Sequence, residues 1–175
     1  WLYEGEVGPD ASGDSVGHGP MAYDEFNQIR QPGNFGWPYF NGNNRPYNEV
    51  DFATGKSGSP FNQQKPVNKS RLNTGLTELP PAQGALVWYS YITSKEFPIM
   101  GWGARSAMGG PLYRKADYKD AKSPFPDYYE GKWFITEWIR DWIIVVSMDE
   151  KGHFKSMERF LPNMKVAGPM DMEFG

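Results

Sequence analysis

Cysteine is absent from the 175 residues, and histidine occurs only twice, at His18 and His153. The first absence excludes disulfides and thiolate metal centres. The two histidines supply no zinc-type spacing, and Ser106 or Ser147 taken with His153 makes no nucleophile triad. Long apolar runs are missing too. The longest, Trp142 to Val146, has five residues, against the roughly 20 that a membrane-crossing helix needs. Basic runs are also lacking and the net charge is −3, so the chain has no electrostatic footprint for nucleic acid or for an anionic membrane surface. The chain opens at Trp1 without a methionine and shows no basic-then-apolar stretch at its start. Both ends read as cut, which points to an internal piece of a longer protein.

What the chain has in quantity is glycine (20), proline (15) and aromatic residues (11 Phe, 7 Trp, 10 Tyr). Proline and glycine disfavour helices, and aromatics favour strands. The composition predicts an all-β fold of short strands joined by many turns.

The strongest β pattern runs from Lys132 to Asp149. Trp133, Ile135 and the alternation through Trp138 predict one strand, Arg140-Asp141 a turn, and Trp142 to Met148 a second strand. Glu150 to His153 reads as another turn with Gly152 free to take positive φ, and Phe154 to Phe160 as a third strand. Gly109 to Lys115 fits a strand that precedes these. Four consecutive antiparallel strands of this kind make a propeller blade. The expected organisation is a blade end over 1–30, with strands at Trp1–Val7 and Asp24–Arg30, and an irregular insertion over 31–84. A strand and inter-blade loop follow over 85–108, then one complete blade over 109–160. The start of the next blade occupies 161–175, with its strand at Gly168 to Phe174. In such a meander the loops 8–23, 92–108, 139–141 and 161–167 emerge on one face, which in propellers commonly carries the site.

One region stands apart. Glu6-Val7-Gly8-Pro9-Asp10 is followed by Tyr23-Asp24-Glu25-Phe26-Asn27 and then by Gly33-Asn34-Phe35-Gly36-Trp37-Pro38. A turn, an acidic strand and an aromatic-glycine turn can gather the carboxylate and carbonyl oxygens that a hard cation such as calcium takes. Asp24 and Glu25, adjacent in a strand, point to opposite faces and so serve separate tasks. The bland alternative is a solvated acidic strand end.

This series resembles the soluble pyrroloquinoline-quinone (PQQ) sugar dehydrogenases, also called glucose/sorbosone dehydrogenases. There a Gly-Pro turn, an Asp-Glu-hydrophobic-Asn segment and an Asn-aromatic-Gly-Trp-Pro segment follow at this spacing. The resemblance is close over Glu6–Pro38, moderate over Ile135–Asp149 and loose elsewhere. It implies a partial six-bladed β-propeller, about two to three blades of four-stranded antiparallel sheet, in an extracytoplasmic (periplasmic or secreted) quinoprotein. It further implies that the carbonyls of Gly8 and Pro9 hold the calcium that binds PQQ. Glu25 and the carbonyl of Phe35 would hold a structural calcium, with Asp24 beside the cofactor. The family's catalytic histidine lies in an earlier blade and has no counterpart here. The loop 10–21 departs from the family, being longer and carrying Asp10, Asp14 and His18.

Arg105 and Arg140 fall on the expected site face and would suit a tricarboxylate. Either is equally an arginine tied to loop carbonyls, and Ile139 stands where the family tends to have a basic residue. Trp102, Trp138 and Trp142 are candidates for stacking on a planar quinone or sugar, or for packing between blades. His153 reads as a surface residue and His18 as a mobile loop residue. The leading expectation is part of an oxidoreductase acting on a sugar or polyol with PQQ and calcium, passing electrons to an acceptor and completed by the rest of the same propeller chain. Two alternatives stand beside it. One is a non-catalytic propeller binding carbohydrate or a protein partner. The other is a glycoside hydrolase with Glu6 and Asp24 as acid and base.

Overall fold

The computed structural model describes residues 1–175. It is all-β apart from short 3-10 turns at Pro98–Met100, Lys115–Tyr118 and Asp127–Tyr129, and its antiparallel sheets are small and unclosed. The first sheet has the order β1-β2-β7, from β1 (Leu2–Glu6), β2 (Asp24–Ile29) and β7 (Val87–Tyr89). The second has four strands, β8 (Ala107–Met108), β9 (Trp133–Glu137), β10 (Trp142–Met148) and β11 (Phe154–Phe160), in the order β11-β10-β9-β8. No helix is long and apolar enough to cross a membrane.

The second sheet forms where the apolar alternation is strongest, and both of its faces are covered. Trp133, Ile135, Trp142, Ile144 and Val146 pack toward the first sheet, against Phe26, Val87 and Tyr89. The intervening Phe134 and Val145 face the other way, with Tyr113, Phe125, Tyr129, Phe160 and Phe174 around them. This two-sided burial explains why β9 and β10 read as nearly continuous apolar runs. Their connection turns at Asp141, whose φ is +52°, and the next turn closes at Gly152 with φ +77°. The Asp149 carboxylate accepts from the amides of Lys151 (2.9 Å) and His153 (2.8 Å) in that turn.

Three expectations are corrected. The strand placed at Gly109–Lys115 begins earlier, at Ala107, and pairs with Glu137 and Thr136. Glycine and proline at 109–111 interrupt it, because they offer neither β propensity nor, at Pro111, an amide, and it resumes only as a bridge from Leu112 to Trp133. Gly168 to Phe174 forms no strand. Its Met172 and Phe174 lie over the aromatic face of the second sheet instead. Finally, the 31–84 insertion contains two small hairpins, β3 (Phe40–Asn41) with β4 (Arg45–Pro46) and β5 (Asn48–Asp51) with β6 (Lys56–Pro60).

The two main sheets meet at a backbone crossing that only glycine permits. A Cβ on Gly5 would sit 2.6 Å from the Gly109 amide nitrogen, and one on Gly109 would sit 2.9 Å from that of Gly5. Neither neighbour is a side chain that could swing aside. Gly5→Ala is therefore expected to cost about 2 kcal/mol or more by forced separation of the sheets. The check is a fall in the thermal midpoint that an exposed control such as Gly13→Ala, which meets nothing within 4 Å, does not show.

Candidate functional site

Polar contacts bring the loops 8–23, 90–106 and 139–141 together at one end of the two sheets. Arg105 donates through Nη2 to the Pro9 carbonyl, and Tyr91 donates to Asp10 at 2.8 Å. Arg140 bonds the carbonyls of Ala104 and Met100 at 2.9 and 3.0 Å. Just after the 161–167 segment, the Gly168 amide donates to Asp141 at 3.0 Å.

Asp24 lies at the start of β2 with no solvent exposure. Its Oδ1 accepts from the Gly8 amide (3.0 Å) and from Nη1 of Arg105, and its Oδ2 accepts from the Ala107 amide (2.8 Å). Gly8 must be glycine to come so near, since a Cβ there would overlap the Tyr23 carbonyl oxygen. Arg105 is buried and also lies over the Tyr91 ring, 4.5 Å from its centroid. Burial pulls the Arg105 guanidinium down to about 10.

Glu137, which sequence reasoning passed over, and the core residue Tyr89 complete this junction. Glu137, with no exposure, accepts from the amides of Ser106 and Arg140. The Tyr89 hydroxyl sits between the carboxylates, 3.4 Å from Asp24 and 3.3 Å from Glu137. Burial, followed by the charge of Glu137, raises the Tyr89 phenol well above its ordinary value. A glutamate closing an otherwise fully buried strand was the available signal, because an ionisable group is seldom buried unless it is partnered.

Arg140 is committed to backbone. Its Nε, Nη1 and Nη2 donate to the carbonyls of Ser90, Met100, Gly101, Gly103 and Ala104 at 2.7 to 3.2 Å, and its guanidinium lies 4.7 Å from the Tyr89 ring centroid. Of the two readings of this arginine, the loop-carbonyl one matches its geometry. Trp102 is 78% exposed on the same loop. Ile139 and Trp138 are about half-exposed at the neighbouring turn, whereas Trp142 is buried in the core.

Glu25 lies on the opposite face of β2, as the strand period requires. It pairs across the ladder with Glu6, and its carboxylate accepts from the Gly42 amide. Asn27 Nδ2 donates to Glu25 at 3.5 Å and to Glu6 at 3.4 Å. The side-chain oxygens of Asn27 and Asn41 are buried with no partner. Burial first, and Glu6 second, push the Glu25 carboxyl up to about 8. The Glu6 carboxyl is raised by burial and by Glu4. Phe35 lies half-buried in the turn before β3, and the backbone amide that donates to Glu25 is that of Gly42. The two hydrolase candidates part company here, since Glu6 shares the Glu25 face and Asp24 lies on the other.

Both histidines lie away from these clusters. His18 is held in its own turn, 3.4 Å from Ser15 Oγ, and His153 is 3.1 Å from Asp149 in the turn before β11. Comparison of the chain with family models, with curated proteins and with solved structures finds no match in any of the three.

Proposed function

We propose that this chain is part of a six-bladed β-propeller that oxidises a sugar or polyol with PQQ and calcium outside the cytoplasm. The observation that carries the reading is the Glu6–Glu25 pair. The buried Glu25 carboxylate faces the half-buried Glu6 across the ladder, and the side-chain oxygens of Asn27 and Asn41 are buried without a donor. This set is rich in hard oxygen, so a calcium ion would satisfy it and cancel the repulsion. The ligands would be Glu25, Glu6, Asn27 and Asn41, a set different from the Glu25–Phe35 pair that the family resemblance implies.

At the other calcium position the oxygens of Pro9 and Asp24 already gather around a positive group, the Arg105 guanidinium. The donors therefore suit a cation. PQQ, when bound, would take up hydride from the substrate. Trp102, exposed on the same loop face, offers a planar surface against which a flat ring can stack. Arg140 cannot serve such a ligand, because its donors are spent on loop carbonyls. Its task is to shape the loop that carries Trp102 and Arg105.

That expenditure favours a second reading, a propeller that binds carbohydrate without redox chemistry. Calcium and PQQ added to the protein separate the two. A ligand at 100 times its dissociation constant adds about 2.7 kcal/mol of stability, so a rise in the thermal midpoint with PQQ and calcium, above that with calcium alone, is expected. Sugar-dependent dye reduction then marks the enzyme. A midpoint raised by sugar but not by PQQ would leave only the binder.

A further inference from the structure

We propose that the cleft in the 31–84 insertion, between the Tyr39–Phe61 ring pair and Arg71, binds acidic saccharides, chains that bear uronate carboxylates. The site is separate from the Asp24 and Glu25 clusters and needs neither the quinone nor calcium.

The cleft follows from the way the two small hairpins are tied together. The Tyr47 amide donates to the Tyr39 carbonyl and the Phe61 amide to the Tyr47 carbonyl, both at 2.9 Å. These bonds bring the Tyr39 and Phe61 rings to 4.4 Å between centroids. The two rings line a cavity of about 680 Å³, within the roughly 300–1,000 Å³ of ordinary small-ligand sites. A further wall is the segment 69–71, carried on a loop that the bridge between Val67 and Glu78 closes. Phe52 also lines the cavity and is 95% exposed. Apolar surface left open in this way and rimmed by polar groups marks a binding groove.

Charge selects the ligand. Lys69 binds both oxygens of Glu49, at 2.8 and 3.0 Å, so that pair is neutral on balance. Arg71, exposed on the same wall, pairs with no carboxylate. The cleft is left with one unmatched cation. The insertion as a whole has the same sign, with five Lys or Arg against three Asp or Glu within 31–84, in a chain whose net charge is −3. A guanidinium takes a carboxylate through two parallel bonds. Aromatic rings take the flat C–H face of a pyranose and leave its hydroxyls to polar groups at the edge, here Glu49 and Lys69. A uronate sugar presents the carboxylate and the flat face in one unit. An acidic peptide would satisfy Arg71 but offers no flat face to cover the two rings.

Calorimetry on the whole chain tests this with a galacturonate tetrasaccharide, its neutral methyl ester and a glutamate peptide of equal charge. PQQ and calcium are left out, so the result stands whether or not the quinoprotein reading does. The acidic tetrasaccharide is expected to bind at least tenfold tighter than either the ester or the peptide. Arg71→Gln should abolish the preference for acid over ester, and Phe52→Ala should weaken both sugars several-fold. Both side chains are exposed, so both variants should melt with the parent. Should Arg71→Gln fail to fold, the comparison of acid with ester on the parent decides alone. No binding of the acid, equal binding of acid and ester, or binding by either variant that matches the parent overturns the proposal. Peptide bound as tightly as the tetrasaccharide overturns it too, and would make the cleft a docking site for an acidic protein segment.

Discussion

Arg140→Ala is expected to loosen the whole 90–106 loop and lower the stability of the protein by about 4 kcal/mol. The substitution strips the donors from five carbonyls at once, those of Ser90, Met100, Gly101, Gly103 and Ala104. Each lost bond is worth about 0.5–1.5 kcal/mol, and the loss of ring contact with Tyr89 adds to it. Some of these carbonyls reach water once freed, which keeps the total nearer the lower end of the sum. For a chain of this size the thermal midpoint should fall by about 10 °C.

Hydrogen exchange supplies the discriminating measurement. Protection should drop across 90–106 well before it drops in β10, where the ladder to β9 and β11 does not involve Arg140. Arg140→Lys should recover less than half of the loss, because an ammonium on a flexible stem cannot span carbonyls on several sides as a planar fork does. If the alanine variant melted within about 2 °C of the parent, the knot assigned to this residue would not exist.

The sequence revealed strands where side-chain periodicity is strong and two-sided. β9, β10 and β11 fall within a residue or two of their expected bounds because nearly every side chain in β9 and β10 is buried on one face or the other. β1 and β2 were legible for a different reason, since the Gly8-Pro9 turn and the acidic start of β2 bracket them. The hairpins β3–β4 and β5–β6 were not legible. Their strands have two to five residues, and β6, Lys56-Ser57-Gly58-Ser59-Pro60, is wholly exposed, so neither period nor burial marks them.

The same split holds at the candidate site. That Asp24 and Glu25 part to opposite faces follows from the strand period alone, and the structure agrees. What Arg140 does could not be read from its neighbours, because the carbonyls it binds lie 36 to 50 positions earlier in the chain. Asn41 posed a similar problem, as only the fold of the insertion brings it to the back of β2.

The second large effect concerns Glu25. Its carboxyl has a folded value of about 8 against an ordinary value of 4.5, so the native state holds its proton more tightly than the unfolded chain does. A raised value stabilises where the group is protonated. This contribution is complete below about pH 4.5 and is lost as the pH rises through about 8. In calcium-free buffer the protein is therefore expected to weaken across that window, by on the order of 3 kcal/mol once some solvent screening is allowed for. Glu25→Gln removes the charge while keeping an oxygen for the Gly42 amide. It should flatten the pH dependence and raise the midpoint at pH 8. Calcium should do the same for the parent by neutralising Glu6 and Glu25 together, and should add little to the Glu25→Gln variant. The two remedies act on one charge pair, so their effects should not sum, and additive stabilisation at pH 8 would place the calcium somewhere other than the back of β2.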